Sequence, residues 1–535
     1  MISVFFRKSG LIVIILALLL ISNSTSFSKA DQDTPNRLLT DLICGSDEFS
    51  AKAAVELIEY PTTDLQIWIS EFKNFPKAKR TDDLVRGSHH INDSLDAPFY
   101  TYVPDDYSRD NPTPLVIWLH GGVSRDEFVG EDAEDEWSKH PMVELAAKEG
   151  WIVLLPLARK DCLWWNETGM DHLNWLIRET KRKFNIDDNR VVACGFSDGG
   201  SGSYHLAMMN PTDFSLFFPW SGHVVVSSWS GGMEVYPANL SARPLFPVNG
   251  GRDGLYPAGK LMPMMNFLME YVSSDLSYTA YDTASHNPGY LSAELPLFSE
   301  RVKAIARRPL RSKIFWQCSD MKYGKLDWLE ITEIDTTPVP DEEWQQDLNF
   351  MQVEDRITIG FMADREFEGV GVRAESVVED TNSVAFKMGM LTGDIVVALD
   401  DIPVNNSRDL GAAKSTKERG DSISITVLRN EEEFTLTTIL PPAVEYDAFP
   451  HKSPYGSVDG YRVGNSFHFG TYRVKDFSIY IHPDMVRLDQ PVKVHVNGRI
   501  LFDDIIKPDS RLLLDSFLKN HDRQLLWVGR IDIRL

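Results

Sequence analysis

Residues 193–202 read ACGFSDGGSG, and this stretch limits the possible folds of the chain more than any other. Ser197 stands there among glycines, directly after the run Arg190–Cys194, whose apolar character predicts a short buried strand. Residues 201–209 can continue as a helix. The letters GFSDG fit G-x-S-x-G, in which serine occupies a strained strand-to-helix turn and exposes its hydroxyl. The stretch therefore predicts a nucleophilic serine, or, if no partners follow, a flexible loop of glycine and serine.

Two partners follow in the chain order Ser, Asp, His that this motif requires. Asp253 lies in PLFPVNGGRDGLYP, where a glycine-rich turn follows an apolar strand; the alternative is a solvated turn aspartate. His286 lies in YTAYDTASHNPGY, on a loop after the last predicted strand. Asp282 is the fallback carboxylate for orienting this base. His223, in PWSGH, is a rival base, but it precedes the aspartate and so breaks the order.

Donors for an oxyanion are predicted beside the serine and after an earlier strand. The backbone N–H of Asp198 directly follows the nucleophile, where one donor is needed. The segment PLVIWLHGGVS ends a strand in glycines, so the N–H groups of Gly122 and Val123 are expected to turn inward as the second source. His120 is expected to brace this loop. No metal-ligand spacing occurs, so neither a metal nor a cofactor is expected.

Composition and charge exclude some partners and predict a targeting segment. The chain has 535 residues and a formal net charge of −24, which repels nucleic acids and anionic membranes. Arg7 and Lys8 precede an apolar run, and Ser28-Lys29-Ala30 has a cleavage pattern. This predicts a signal peptide over 1–30, cleaved after Ala30, and a secreted or periplasmic protein without a stable membrane span. An uncleaved anchor is the alternative, although its apolar core is short.

The remaining chain divides by pattern. Residues 31–86 predict a helical extension, and 87–308 alternate strand and helix as in a mostly parallel sheet covered on both faces. Residues 309–338 and 455–535 are strand-rich and flank a distinct unit, 353–440. Two strands make a poor sheet alone, so this unit is expected to be inserted into one β-rich domain. A shared core is then expected of these residues: Trp316, Trp328, Leu329, Phe477, Ile479, Val494 and Val496.

Residues 87–308 resemble the α/β-hydrolase superfamily, most closely secreted esterases of the polyhydroxybutyrate depolymerase, feruloyl esterase and dienelactone hydrolase-like groups. The stretches that carry the resemblance are YTYVPDDY, PLVIWLHGG, FNIDDNRVVACGFSDGGSGSYHLAMMNP, NGGRDGLYP and SHNPGY. The resemblance implies Ser197, Asp253 and His286 as a catalytic triad. Many relatives carry Met or Gln where this chain has Asp198, and an acidic side chain there would disfavour anionic substrates.

Substrate contacts are predicted from the same resemblance. Trp164 and Trp165 follow the strand WIVLLPL, on a loop that lies over the active site in this fold. They are expected either to stack on a sugar or aromatic ester, or to pack in the interior. His223 is a further candidate for contacting the substrate.

Residues 353–440 resemble a PDZ domain. The resemblance rests on ITIGFMADREFEGVGVRAESV, AFKMGMLTGDIVVALDDIPVNN and GDSISITVLRNEEEFTLTTIL. It implies binding of extended C-terminal peptides by strand addition, with the carboxylate held near Ile359, Gly360 and Phe361, and a groove helix near 407–417. The alternative is a PDZ fold that serves only for packing.

The expected fold class is therefore α/β: a doubly wound, mostly parallel α/β-hydrolase sheet, a PDZ-like α+β domain and a C-terminal β-rich, sandwich-like domain. The predicted function is a secreted serine hydrolase that cleaves small or polymeric esters and binds a peptide or partner through the PDZ-like unit. A peptidase with the same triad is the first alternative, and a non-catalytic scaffold is the second.

Overall fold

The computed structural model describes residues 29–77, 84–340, 348–354, 357–364, 366–380 and 383–535, with side chains from residue 34 onward. Residues 1–28, most of the predicted signal peptide, lie outside the described residues. The chain forms two compact units. The first contains Met1–Gln346 and His451–Leu535, and the second is Asp347–Pro450.

An eight-stranded sheet forms the centre of the first unit. Its strands are β1 Val85–Asn92, β2 Leu95–Tyr102, β3 Thr113–Leu119, β4 Ile152–Pro156, β5 Ile186–Phe196, β6 Leu216–Trp220, β7 Val248–Gly250 and β8 Thr279–Tyr281. The spatial order is β1-β2-β4-β3-β5-β6-β7-β8. β1 and β2 are antiparallel, and β2 meets β4 antiparallel, whereas β3 to β8 run parallel. This sheet confirms the predicted α/β-hydrolase fold.

The parallel strands are apolar because both faces of the sheet are covered. β4 and β6 are buried along their whole lengths. The helices around the sheet are α4 Glu134–Trp137, α5 Pro141–Glu149, α6 Glu167–Lys183, α7 Asp198–Met209, α8 Val226–Gly231, α9 Ala258–Tyr271 and α10 Leu291–Ala304. β1 was not predicted, since its residues are mostly polar and it alternates between exposed and half-buried positions at the sheet edge.

A two-sheet β region completes the first unit. Its strands are β9 Lys313–Cys318, β10 Lys325–Leu326, β11 Leu329–Ile334, β20 Gly456–Val463, β21 Ser466–Tyr472, β22 Val474–Ile481, β23 Val492–Val496, β24 Arg499–Asp504 and β25 Gly529–Arg534. One sheet has the order β10-β11-β22-β25 and the other β24-β23-β21-β20-β9. β9 and β11, which precede the second unit in the sequence, therefore pair with β20 and β22, which follow it. Trp316, Trp328, Phe477 and Val494 lie in one buried cluster.

The N-terminal helices pack against the end of the chain. They are α1 Lys29–Cys44, α2 Asp47–Leu57 and α3 Thr62–Ser70. Leu42, Leu57 and Leu65 share a buried cluster with Leu513 and Phe517. The latter two belong to a helix, Ser510–Asn520, within the region that the sequence indicated as strand-rich. The prediction that residues 455–535 are strand-rich is therefore incomplete, because it omits this helix.

Buried ion pairs join the hydrolase sheet to the β region. Arg243 binds Asp327 through two hydrogen bonds, and Arg311 donates to the same carboxylate. Asp327 is fully buried, and Arg243 is nearly so. Removal of one partner from such a pair leaves an uncompensated buried charge, which costs about 3–5 kcal/mol. This contact therefore ties the two parts of the first unit together.

The second unit is a small α+β domain. Its elements are β12 Met351–Glu354, β13 Phe361–Ala363, β14 Val372–Val377, α11 Val384–Lys387, β15 Ile395–Leu399, β16 Ile402–Pro403, α12 Ser407–Lys414, β17 Ser422–Arg429, β18 Glu432–Ile439 and β19 Val444–Asp447. The main sheet has the order β13-β14-β15-β17-β18, and β12 pairs with β19 beside the two chain ends. A separate apolar core, including Val396 and Ile425, fills the unit.

Within the described part of the chain, no helix is long and apolar enough to cross a membrane. The four cysteines, Cys44, Cys162, Cys194 and Cys318, are unpaired.

Buried histidines predict that acid destabilises the first unit. Burial lowers the pKa of His120 to about 4, and the pKa of His172, His205 and His223 to about 3. An unfolded chain binds protons at these residues below about pH 6.5, whereas the folded chain excludes them. The free energy of unfolding should therefore be constant above pH 6.5 and fall as the pH drops toward 4. Urea unfolding midpoints at pH 7.5, 6 and 5 measure this.

His205 offers a matched variant for that measurement. Neither ring nitrogen of His205 has a hydrogen-bond partner among the described residues, and the side chain is fully buried. His205→Leu removes one titrating group, so the slope of unfolding free energy against pH should decrease by up to about 1.4 kcal/mol per pH unit. Equal slopes for the two proteins between pH 6 and 5 would contradict the prediction.

Candidate active site

Ser197 lies at a strained turn between β5 and α7. Its backbone has φ 59° and ψ −119°, in the region that disfavours side chains. A Cβ on Gly199 would lie 1.8 Å from the carbonyl oxygen of Leu119, and a Cβ on Gly195 2.5 Å from the backbone of Gly199. Glycine is therefore required on both sides of the serine, and the turn presents the hydroxyl at the carboxyl end of the sheet.

Three predicted residues form one hydrogen-bonded chain. His286 Nε2 lies 2.9 Å from Ser197 Oγ, and His286 Nδ1 lies 2.8 Å from Asp253 Oδ2. Asp253 follows β7 and is 2% exposed, while His286 follows β8. The carboxyl ends of parallel strands meet at one edge of a sheet, which explains how residues 89 apart in sequence come together.

The environment of Asp253 keeps its carboxylate ionised. Burial favours the neutral acid, but the hydrogen bonds from His286 and from the backbone N–H groups of Tyr256 and Leu255 outweigh this and lower the pKa of Asp253. Both backbone bonds, each 2.8 Å long, end on Oδ1, so Oδ2 is left for the imidazole. A charged carboxylate at Nδ1 fixes the tautomer in which Nε2 accepts the serine proton.

The fallback residues do not join this chain. Asp282 is exposed at the surface. His223 is buried, and its Nδ1 accepts a hydrogen bond from the N–H of Val225. Burial lowers the pKa of His223 to about 3, so it stays neutral at working pH. Asp253 and His286, and not Asp282 and His223, therefore occupy the carboxylate and base positions of the chain that ends at Ser197.

The loop after β3 is braced by His120. Its Nε2 accepts from the N–H of Ala158, and its Nδ1 bonds the carbonyl of Gly121, both at 2.9 Å. A Cβ on Gly121 would lie 2.8 Å from Ser197 Cβ, so the loop lies directly beside Ser197. The backbone N–H groups of the next two residues are thereby placed near the serine.

The predicted oxyanion donors are already bonded. The N–H groups of Gly122 and Val123 donate to Asp198 Oδ2 at 2.9 and 3.0 Å. The sequence predicted the backbone N–H groups of Gly122, Val123 and Asp198 as oxyanion donors, and it did not predict this contact of the Asp198 side chain. The carboxylate folds back across the loop, and the oxyanion role of the three N–H groups stays a prediction.

The two predicted tryptophans face the interior. Trp164 and Trp165 are 0% and 1% exposed. The indole N–H of Trp164 donates to the carbonyl of His120 at 2.9 Å, and its side chain packs against Gly202. Neither indole offers a free face, so stacking on a substrate is not supported and the packing alternative holds. Trp164 instead supports the loop beside Ser197.

A series of contacting aromatic rings, which the sequence did not predict, extends away from His286. The ring of Tyr256 lies 6.0 Å from that of His286, His223 lies 5.7 Å from Tyr256, and Trp229 lies 4.6 Å from His223. Trp229 is 56% exposed on the short helix α8. The sequence signal for this contact was a single tryptophan in SSWSGG. That stretch is polar and has no helical periodicity. His223 itself is buried, and its predicted contact with a substrate stays a prediction.

In the second unit, the predicted peptide-binding residues form a turn at the start of β13. Gly360 has φ 94°, which favours glycine, and Ile359 is buried. The Ser383 hydroxyl donates to the Gly360 carbonyl at 3.3 Å. β13, which begins at Phe361, lies at the edge of its sheet. The groove helix ends at Lys414, three residues before its predicted end.

Across the described ranges, no three His, Cys, Asp or Glu side chains are grouped so as to hold a metal ion.

Comparison with known proteins identifies relatives of both units. A sequence model of the PDZ domain family matches residues 359–440. A bifunctional acetylxylan esterase/xylanase of Neocallimastix patriciarum is 25% identical over 205 residues, 37% of this chain and 27% of that protein. A probable feruloyl esterase C of Aspergillus flavus is 29% identical over 174 residues, 31% of this chain and 62% of that protein. The chain covers less than two thirds of either relative.

Two solved structures illustrate the structural similarity. Thermogutta terrifontis esterase 2, phosphorylated by paraoxon, has a TM-score of 0.35 and 15% identity, over 42% of this chain and 97% of that one. The S-formylglutathione hydrolase of Staphylococcus aureus has a TM-score of 0.33 and 16% identity, over 41% and 98%.

The sheet order and the serine turn are those of an α/β-hydrolase fold, and the chain is similar in sequence to esterases. This chain combines that fold with a PDZ domain and a β-rich C-terminal region.

Proposed function

We propose that the protein hydrolyses carboxylic esters by nucleophilic catalysis at Ser197. The observation that carries the proposal is the hydrogen-bonded chain from Ser197 through His286 to the buried Asp253, at a turn that only flanking glycines allow. A nucleophile, a base within hydrogen-bond reach and a group that orients the base are the parts that acyl transfer needs.

The geometry supports a two-step reaction. Ser197 Oγ attacks the ester carbonyl while its proton passes to His286 Nε2, and the resulting imidazolium is stabilised by Asp253. The proton then goes to the leaving alkoxide, which departs as the alcohol and leaves an acyl-enzyme. Water attacks this acyl group while His286 takes its proton, and that proton passes to Ser197 Oγ as the bond to the acyl carbon breaks and the acid is released. Backbone N–H groups beside the serine stabilise the oxyanion of each step.

The relatives favour esters over peptides. The names of the two relatives describe a feruloyl esterase and an acetylxylan esterase, one with an aromatic and one with a small acyl group. The exposed indole of Trp229 next to His223 supports an aromatic ester, since a flat ring can stack there. We therefore propose small and aromatic acyl esters as the substrate class.

A turnover screen tests the reaction class. Purified protein is assayed on p-nitrophenyl acetate, methyl ferulate and a peptide p-nitroanilide. Hydrolysis of the esters with no release of nitroaniline is expected. Cleavage of the anilide at a rate comparable to that of the esters would favour the peptidase alternative, whereas no turnover and no labelling by a fluorophosphonate would favour the scaffold.

Substitution of Trp229 should change acyl selectivity. Trp229→Ala is expected to raise KM for methyl ferulate about three- to tenfold, the value of one aromatic stacking contact, and to leave KM for methyl acetate unchanged. Tyr271→Ala is the matched control, because Tyr271 is an aromatic residue with comparable exposure (63%) on α9. Equal effects on both esters, or the same effect in the control, would refute the subsite.

The PDZ domain is proposed to bind C-terminal peptides by adding a strand to the free edge of β13. A free carboxylate is expected at the turn of Ile359, Gly360 and Phe361. Binding of a peptide library measured by fluorescence anisotropy should be lost when the peptide C-termini are amidated. Equal affinity of acid and amide forms would contradict this mode.

Export is proposed from the sequence of residues 1–30. The mature protein recovered outside the cytoplasm should begin at Asp31. An intact N-terminus in the exported fraction would instead indicate the uncleaved anchor.

A further inference from the structure

We infer that the Asp198 carboxylate is an internal ligand of the oxyanion hole, which must leave the loop during turnover and is then held by Arg125. The inference rests on the proposed esterase function and identifies a residue pair that regulates the same site. It begins from the two hydrogen bonds that Gly122 and Val123 donate to one oxygen of Asp198.

The occupied donors are those that the reaction needs. A Cβ on Gly121 would lie 3.4 Å from Ser197 Oγ, so the loop that carries the two N–H groups runs beside the hydroxyl that would attack the ester carbonyl. Preorganised N–H donors aimed at the developing oxyanion provide a large part of the rate enhancement in such catalysis. Asp198 Oδ2 accepts from two of them, at 2.9 and 3.0 Å, as an oxyanion would.

A carboxylate and an oxyanion compete for these donors. Hydrogen bonds to a charged acceptor are about twice as strong as neutral ones, so the ground state with Asp198 bound is favoured. When the tetrahedral intermediate forms, a second negative charge would lie against the first, which is unfavourable at this short range. The carboxylate must therefore move off the loop before the oxyanion can be stabilised there.

Arg125 is positioned to receive the displaced carboxylate. Its guanidinium lies over the same loop: a Cβ built on Gly122 would be 3.5 Å from Nη2 and 3.6 Å from Nε. The side chain is exposed, and the structure gives its guanidinium no ion pair with a described residue. The site thus has two arrangements, with Asp198 on the backbone N–H groups or on Arg125, and only the second leaves the oxyanion donors free.

Substitutions at Asp198 test the competition. With p-nitrophenyl acetate, a neutral ester, Asp198→Ala is expected to raise kcat/KM about tenfold, a fraction of the effect of a whole oxyanion donor. Asp198→Asn keeps an acceptor but not the charge, so its value should lie between those of the wild type and Asp198→Ala. Asp282→Ala, which removes an exposed carboxylate from the His286 loop, is the control and should change nothing.

A boronic acid provides a readout that does not depend on turnover. Phenylboronic acid forms a tetrahedral anion on the serine and places one oxygen where the oxyanion would lie. Its inhibition constant should decrease in the order wild type, Asp198→Asn, Asp198→Ala, since analogues of the transition state report the free donors. Melting temperatures establish whether each variant is folded. If Asp198→Ala does not fold, the comparison of Asp198→Asn with the wild type is the test.

Arg125 is tested by a double-mutant cycle. Arg125→Ala should lower kcat/KM several-fold in the wild type, because the displaced carboxylate loses its partner, and should have no effect in the Asp198→Ala background. If the effects of the two substitutions on kcat/KM are additive, Arg125 does not hold the displaced Asp198 carboxylate.

The opposite order of activities would overturn the inference. If Asp198 merely braces the loop, Asp198→Ala should be slower than the wild type, with Asp198→Asn between them, and both should bind the boronate more weakly. Such an order in an active wild type would refute the internal ligand but leave the esterase function intact. A chain in which the wild type and every variant lack both turnover and fluorophosphonate labelling would refute the esterase function, and the inference with it.

Discussion

Ser197→Ala is expected to reduce kcat/KM for p-nitrophenyl acetate by at least about a thousandfold. In the proposed mechanism the Ser197 hydroxyl forms the acyl-enzyme, and residues of such a unit act together rather than additively. His286→Ala should cause a similar loss, and the double variant should be little worse than either single one. Initial rates and the stoichiometry of fluorophosphonate labelling measure the effect.

A pair of aspartates supplies the control for this prediction. Asp253→Asn should lower kcat/KM by a large factor, up to about 10⁴, because an amide at Nδ1 favours the wrong histidine tautomer. Asp282→Asn removes an exposed carboxylate from the loop that carries His286, and should leave activity unchanged. Retained activity in the Ser197 variant, or equal losses in the two asparagine variants, would show that another constellation does the chemistry.

The sequence predicted the fold and the residues of the candidate triad because both depend on order along the chain. Apolar β-branched runs separated by helical patterns predict a parallel sheet, and residues that follow such strands must meet at one edge. Asp253 and His286 were therefore expected near Ser197 although they are distant in sequence. The glycines around Ser197 added local evidence for the turn, because the motif places glycine where a Cβ would clash with the backbone.

Other features depend on side-chain direction, which no pattern along the chain specifies. Asp198 and Gly122 are 76 residues apart, and their contact requires that the carboxylate turn back over the loop. The same holds for Trp164, whose indole could have faced either the substrate or the carbonyl of His120. A polar edge strand such as β1 lacks the apolar alternation by which strands are recognised.

The position of the N-terminal helices also could not be predicted. Their apolar faces show that they pack against another element, but that element is a helix about 450 residues further along the chain. Only the folded first unit brings Leu42 and Phe517 into one cluster. The pairing of β9 with β20 and of β11 with β22 is also long-range. Because these strands lie on either side of the second unit in the sequence, removal of that unit tests where its boundaries are.

Removal of the second unit should leave a folded and active hydrolase, whereas ending the chain at residue 441 should not. Phe350 O accepts a hydrogen bond from the N–H of Ala448 at 2.9 Å, so the chain enters and leaves this unit at adjacent points. Replacement of residues 351–447 by a short Gly/Ser turn is therefore geometrically reasonable. Ending at 441 removes β20 to β25, which leaves β9 without a strand partner and β11 paired only with the two-residue β10. Their apolar faces are then exposed, which causes aggregation.

Two core variants show whether the units unfold independently. Phe477→Ala opens a cavity in the β region that should cost about 3–5 kcal/mol, so it should lower the temperature at which ester hydrolysis is lost, in both the full chain and the excised protein. Ile425→Ala lies in the core of the second unit and should lower a separate melting transition without moving that temperature. Loss of activity on excision, or a shift of the inactivation temperature by Ile425→Ala, would show that the hydrolase depends on the PDZ unit for its stability. A soluble and active chain that ends at 441 would show that the strands on either side of the second unit do not need each other.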